Sequence, residues 1–137
     1  VAFIFQKFEL ISGYTVYENV ELPLRAKNIP KKERREKIME TLSSLGIENL
    51  KNKFPNKISG GEMQRVAIAR AMVSGNDLIL ADEPTGSLDQ KTGEGIIQIL
   101  KRLNAEGKTI VVITHDPHIA QYGDRIVRIM DGKIEEE

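Results

Sequence analysis

Between residues 77 and 114 the sequence runs from an apolar stretch through an amphipathic one to a second apolar stretch, and that order leaves few folds open. Leu78-Ile79-Leu80-Ala81-Asp82 is a short apolar run of strand length. Ile96, Ile97, Leu100 and Leu103 then recur at helical spacing and stop near Gly107. Thr109 to Thr114, TIVVIT, is a β-branched run that predicts a fully buried parallel strand. Strand, helix, strand predicts a βαβ unit with parallel strands and a right-handed crossover, hence an α/β fold. Ligands of such sheets sit beyond the carboxyl ends of the strands. Asp82 and Glu83 end the first strand and His115 follows the second. The topology therefore predicts two carboxylates and an imidazole on one sheet edge.

The rest of the chain supplies elements around this unit. Val1 to Phe5 reads as a short buried strand and Gln6 to Gly13 as the loop after it. From Pro30 a helix is predicted, with Ile38, Leu42 and Leu45 on one stripe, residues 31–37 on its solvated charged face, and Gly46 as its stop. Residues 47–57 read as a loop that delivers the chain to Ser59, after which Met63, Val66, Ala67, Arg70 and Ala71 follow helical spacing up to Gly75. Arg125 to Met130, Asp131-Gly132 and Lys133 to Glu135 predict a closing hairpin.

Composition narrows the function. A length of 137 residues fits one modest domain or a piece of a larger one. Twenty basic and twenty acidic side chains cancel, so no basic footprint for nucleic acid is present. The absence of cysteine excludes disulfides, thiolate metal sites and a cysteine nucleophile, and two histidines make a histidine-rich metal site improbable. No apolar run approaches the roughly 18 residues of a membrane span. The start at Val1-Ala2-Phe3-Ile4-Phe5, without Met or a signal-peptide n-region, reads as the middle of a gene product.

An Asp-Glu pair after a strand suits metal-assisted phosphoryl chemistry, in which Asp82 holds Mg²⁺ and Glu83 polarises an attacking water. His115 could contact a γ-phosphate or hold that water in line. Taken singly, each of these residues is as readily a cap or a turn residue. Ile58-Ser59-Gly60-Gly61-Glu62 has two readings as well. As structure it is a capping box, Ser59 to Glu62, although two glycines weaken a helix start. As function it brings backbone N–H groups close to an anion at a positive helix terminus, and phosphate is the natural guest. A phosphate loop, G-x-x-x-x-G-K-[ST], is missing from the sequence, and Gly107-Lys108-Thr109 is not one, because Arg102 stands at the first glycine position and the tripeptide enters a strand.

Gln6 after a strand, ISGGE at 58–62, LILADE at 78–83, Ser87-Leu88-Asp89 and His115, in this order and spacing, resemble the ABC-type ATPases. YENVELPL at 17–24, QRVAIARAM at 64–72 and ADEPTGSLD at 81–89 look like the branch serving macrolide efflux and lipoprotein release. The resemblance implies the C-terminal part of a P-loop NTPase, a RecA-like parallel sheet with an inserted α-helical subdomain, starting after the phosphate loop. It implies three segments: 1–8, the end of the first core segment with the Q-loop; 9–75, the helical subdomain with the signature motif; and 76–137, the core with Walker B, D-loop and H-loop. By position, Gln6 would be the Q-loop glutamine, sensing Mg²⁺ or the attacking water. Ser59, Gly60, Gly61 and Glu62 would be the signature loop gripping ATP on the opposite subunit. Asp82 would be the magnesium carboxylate, Glu83 the general base, Asp89 the D-loop aspartate and His115 the switch histidine. Ile58 stands where Leu is usual, Glu62 where Gln is common and Ser87 where this branch often has Asn.

ATP and Mg²⁺ are the implied cofactors. A second ATP-binding subunit in a head-to-tail dimer and a transmembrane permease are the implied partners, with no nucleic acid. The implied location is the cytoplasmic face of the cell membrane, with export or extraction favoured. The intact protein is expected to hydrolyse ATP, and these 137 residues alone, without a phosphate loop, are expected to be inactive. A DNA-repair or chromosome-maintenance ATPase of the same type and a non-catalytic interaction fragment are the alternatives. A sheet lacking its first strands is also expected to self-associate.

Overall fold

A computed structural model describes residues 1–136. Three parallel strands, β1 (Ala2–Phe5), β2 (Leu78–Asp82) and β3 (Thr109–Ile113), form a sheet in the order β1-β2-β3. Phe5, Asp82 and Ile113 are register partners, so all three strands end at one level. Helix α4 (Gln90–Ala105) connects β2 to β3, which is the βαβ unit expected from the sequence.

The long connection from β1 to β2 is helical. It contains α1 (Val16–Ala26), α2 (Lys31–Ser44) and α3 (Gly60–Val73), with single 3₁₀ turns at Glu48–Leu50 and Pro55–Lys57 inside the stretch read as loop. Thr15 and Glu18 form a capping box that starts α1, and Pro23 lies inside that helix. Helix α3 packs against α1, α2, α4 and β1. Its buried face, with Val66, Ile68 and Ala69, shares one core with Ile4, Ile79, Ala81, Ile96 and Leu100. A four-residue helix α5 (Pro117–Ala120) follows β3. The chain then forms an antiparallel hairpin, β4 (Val127–Met130) and β5 (Lys133–Glu136). Asp131 and Gly132 both have positive φ, 50° and 75°, as a two-residue I′ hairpin turn requires.

The expectation of a fully buried β3 is corrected. Val111, Val112 and Ile113 are exposed, Ile113 by 53%. β3 is an edge strand, and α4 is the helix that packs on it among the described residues. Among the described residues, then, its β-branched run is extended but uncovered. Phe3, Leu80 and Val111 share the face of the sheet opposite the helices, as do Phe5, Asp82 and Ile113.

Candidate active site

The sheet's carboxyl edge gathers Gln6, Asp82, Glu83 and His115. Gln6 directly follows β1, Asp82 is the last residue of β2, and Phe5 pairs with Asp82 in register. Asp82 is exposed on the open face of the sheet. Glu83 leaves the strand with φ 47°, a left-handed conformation that strains a residue bearing a Cβ by about 1–2 kcal/mol. Its N–H donates to the Ile113 carbonyl at 2.8 Å, so the turn is anchored on β3.

The Glu83 carboxylate meets the loop after β3. His115 Nδ1 lies 2.5 Å from Glu83 Oε1, and the His115 backbone N–H donates to the same oxygen at 3.0 Å. Thr114 Oγ1 donates to Oε2 at 3.4 Å. Nδ1 faces the Glu83 carboxylate, which leaves Nε2 turned away from Glu83. The imidazole is 91% exposed and the carboxylate 19%, so a partly sheltered carboxylate sits beneath a ring open to water.

Gln6 lies against the turn that follows Glu83. A Cβ added at Gly86 would come within 2.7 Å of Gln6 Nε2 and 2.9 Å of its Cδ, so a side chain there would push the Gln6 carboxamide out of this position. Ser87 Oγ donates to the Gln6 carbonyl at 3.4 Å. The exposed Asp82 carboxylate and the Gln6 carboxamide are hard oxygen donors at neighbouring strand ends, the kind Mg²⁺ prefers when phosphates and waters complete its shell. Among the described residues no group of three or more His, Cys, Asp or Glu could hold a metal, so a magnesium ion here would depend on the nucleotide for its other ligands.

The Ser59 turn forms a separate cluster. Ser59 Oγ accepts from the Glu62 N–H at 3.1 Å, and Glu62 Oε1 accepts from the Ser59 N–H at 2.9 Å, so the capping box is complete. The glycines inside it answer to close packing. A Cβ at Gly60 would lie 3.2 Å from Leu88 Cδ2, and one at Gly61 would run into Thr92 Cγ2. Both box side chains are thus engaged with backbone, while the first-turn N–H groups of Gly60 and Gly61 have no carbonyl to reach within the helix. Asp89 caps α4, accepting from the Thr92 N–H at 3.2 Å. The Thr92 side-chain and backbone bonds, first among several causes, hold the Asp89 carboxyl below its ordinary pKa. A cleft of about 400 Å³ beside this cap is lined by Asp89, Glu94, Asp116 and His118, among others.

Several positioning side chains escaped the sequence reading. Arg70 on α3 donates to the Phe8 and Glu9 carbonyls at 3.2 and 2.8 Å, and both of those residues have positive φ. Burial lowers the Arg70 pKa from its ordinary value, and Glu9 opposes that effect. Asn19, fully buried, accepts from the Ile11 N–H and donates to the carbonyls of Ile11, Tyr14 and Thr15. Gln64 bonds the carbonyls of Phe5 and Pro84. A polar residue repeating with Ile68 and Ala71 on a buried helical face was the available signal for Gln64.

Comparison with known proteins yields one family. The family model described as ABC transporter matches residues 1–86. The chain is 51% identical over 142 residues to the ABC transporter ATP-binding protein MJ0796 of Methanocaldococcus jannaschii, a match covering 100% of this chain and 60% of that protein. It is 47% identical to the macrolide export ATP-binding/permease protein MacB of Aggregatibacter actinomycetemcomitans, over 96% of this chain and 20% of that one. Among solved structures, the dimeric post-hydrolysis state of the MJ0796 cassette bound to ADP and Pi superposes with a TM-score of 0.83 at 48% identity, covering 98% of this chain and 62% of that one. The chain thus spans less than two thirds of the length of each of these relatives.

Proposed function

Because the chain belongs to the ABC transporter ATP-binding family, we propose that it forms part of a transport ATPase, with the Glu83–His115 edge as the hydrolytic centre. The fold is the corresponding fragment of a P-loop NTPase. The observation that carries the reading is the 2.5 Å contact between His115 Nδ1 and Glu83 Oε1, which joins residues 32 positions apart at the strand ends where phosphoryl chemistry is expected.

In this reading residues 1–8 end the first core segment, 9–75 form the helical subdomain and 76–137 complete the core. ATP would bind with Mg²⁺, which Asp82 and Gln6 would hold, and the ion would supply charge neutralisation at the phosphates. Glu83 accepts a proton from the attacking water as its oxygen forms a bond to the γ-phosphorus and the bond to the ADP oxygen breaks. His115 holds the carboxylate through Nδ1, leaving Nε2 for the terminal phosphate. Gly60 and Gly61 present free N–H groups at the positive end of α3, and Ser59 adds a hydroxyl, to bind the ATP of a second subunit. Asp89 crosses the dimer contact.

The dimeric MJ0796 structure and the permease named in MacB support a dimer and a membrane partner, and this reading makes the dimer head-to-tail. No helix among the described residues is long and apolar enough to cross a membrane. In this reading a permease segment, of the kind MacB's name includes, conducts the cargo, and the chain works at the cytoplasmic face. Export is favoured by the MacB likeness. A phosphate loop is missing from these 137 residues, so alone they do not turn over ATP.

A polypeptide carrying a phosphate-loop segment ahead of Val1 tests the reading. Glu83→Gln should convert it from a monomer into an ATP-dependent dimer by light scattering, and Ser59→Glu in the same chain should abolish that dimer. Dimerisation indifferent to ATP, or untouched by the Ser59 change, would count against the assignment.

A further inference from the structure

Gln64 is the side chain whose bonds the proposed chemistry leaves unexplained. It lies in α3 at 0% exposure, where a carboxamide is unfavourable unless it is bonded. Its Nε2 donates to the Pro84 carbonyl at 2.6 Å and to the Phe5 carbonyl at 3.2 Å. Two carbonyl neighbours fix the orientation of the amide, since only its nitrogen can serve them. Oε1 is buried without a partner among the described residues, so the two donated bonds are what this side chain contributes.

The two acceptors are chosen in a telling way. The Phe5 carbonyl immediately precedes Gln6, and the Pro84 carbonyl immediately follows Glu83. Phe5 also pairs in register with Asp82 across β1 and β2. One carboxamide therefore ties together the two strand ends that carry Gln6, Asp82 and Glu83. Glu83 is held in its left-handed conformation from two sides, by its own N–H on Ile113 and by the next carbonyl on Gln64. Ser59 caps the same helix, so a movement of α3 that carries the Ser59 turn also moves the donor that fixes the Glu83 turn. Arg70, farther along α3, grips Phe8 and Glu9, so the helix holds the segment around Gln6 on both sides.

We propose that Gln64 is a positioning residue for ATP hydrolysis: it fixes the main chain beside Gln6 and Glu83 and links that geometry to the helix that carries the Ser59 turn. The proposal rests on the reading of Glu83 as the base.

Its test uses the phosphate-loop polypeptide described above. Gln64→Met keeps the length and apolar packing and removes both donors. The kcat for Mg²⁺-ATP should fall about tenfold or more, with KM for ATP changed less than about threefold, because misplaced groups raise the barrier without weakening ground-state binding. In a Glu83→Gln background the same substitution should lower the residual rate far less, by under about threefold, since the greater part of its influence passes through that carboxylate. A merely structural residue would lower both backgrounds by the same factor, and that result, or an unchanged kcat, overturns the proposal. Should the Met variant not fold, Gln64→Asn, too short to reach both carbonyls, carries the same expectations. Turnover that survives Glu83→Gln intact overturns the reading of Glu83 and this proposal with it; Glu83-dependent turnover that ignores Gln64 overturns this proposal alone.

Discussion

Gly61→Ala is the sharpest test of the packing around the Ser59 turn. At an open helix position this change stabilises by up to about 1 kcal/mol through helix propensity. At Gly61 the added Cβ would run into Thr92 Cγ2. Thr92 cannot swing aside freely, because a β-branched side chain is stiff at χ1 and both its backbone N–H and its side chain bond Asp89. Overpacking costs about 1–3 kcal/mol, and so close a contact with a stiff side chain falls in the upper part of that range, about 2–3 kcal/mol, which leaves a net loss of about 1–2 kcal/mol. For a domain of this size that corresponds to a fall in Tm of about 3–8 °C. Thr92→Ser removes the clashing methyl and keeps the hydroxyl. The double variant should therefore recover most of the loss, with a coupling of about 1 kcal/mol or more in a double-mutant cycle read by urea denaturation. A Gly61→Ala protein as stable as the parent, or strict additivity with Thr92→Ser, would refute the reasoning and return the glycines to a purely ligand-binding explanation.

Three further outcomes follow from the same geometry. The Asp89 carboxyl should titrate below the ordinary aspartate value by NMR, and Thr92→Val should move it upward. Because its folded pKa is depressed, the stabilisation from this cap is present above the unfolded aspartate value and is lost as the pH falls through the folded one. Asn19→Leu should destabilise the fold by at least about 2 kcal/mol in urea, since it strands the Ile11 N–H and removes the donor to three carbonyls. Arg70→Met should leave the sheet intact yet speed amide exchange in residues 6–10, because it releases the Phe8 and Glu9 carbonyls. Unchanged exchange there would show that the turn holds itself.

Much of the core and of the candidate edge was legible because strand, helix and turn signals coincide there. The LILAD run, the 96–103 stripe and Asp131-Gly132 each obey one local rule, and each element stands where that rule puts it. Helix α1 was not legible. Pro23 interrupts its pattern, and its stability comes from the Thr15 capping box and from packing on α3, which no local window contains. The burial expected of β3 is not met among the described residues for a related reason: β-branched residues report how a backbone is extended, whereas burial depends on which neighbours cover it. The approach of Glu83 to His115 followed from topology, but the roles of Gln64, Asn19 and Arg70 lie in side-chain bonds to distant carbonyls. Such bonds leave only a faint mark in sequence, a polar residue on a buried helical face.

The most direct measurement is single-turnover hydrolysis of pre-bound, γ-labelled ATP by the phosphate-loop polypeptide and its Glu83→Gln and His115→Ala variants. Nucleotide should remain bound in all three proteins, while phosphate release falls about 100-fold or more in both variants, as expected when a general base or the group that holds it is removed. Hydrolysis at the parent rate in either variant would contradict the assignment of the Glu83–His115 edge as the hydrolytic centre.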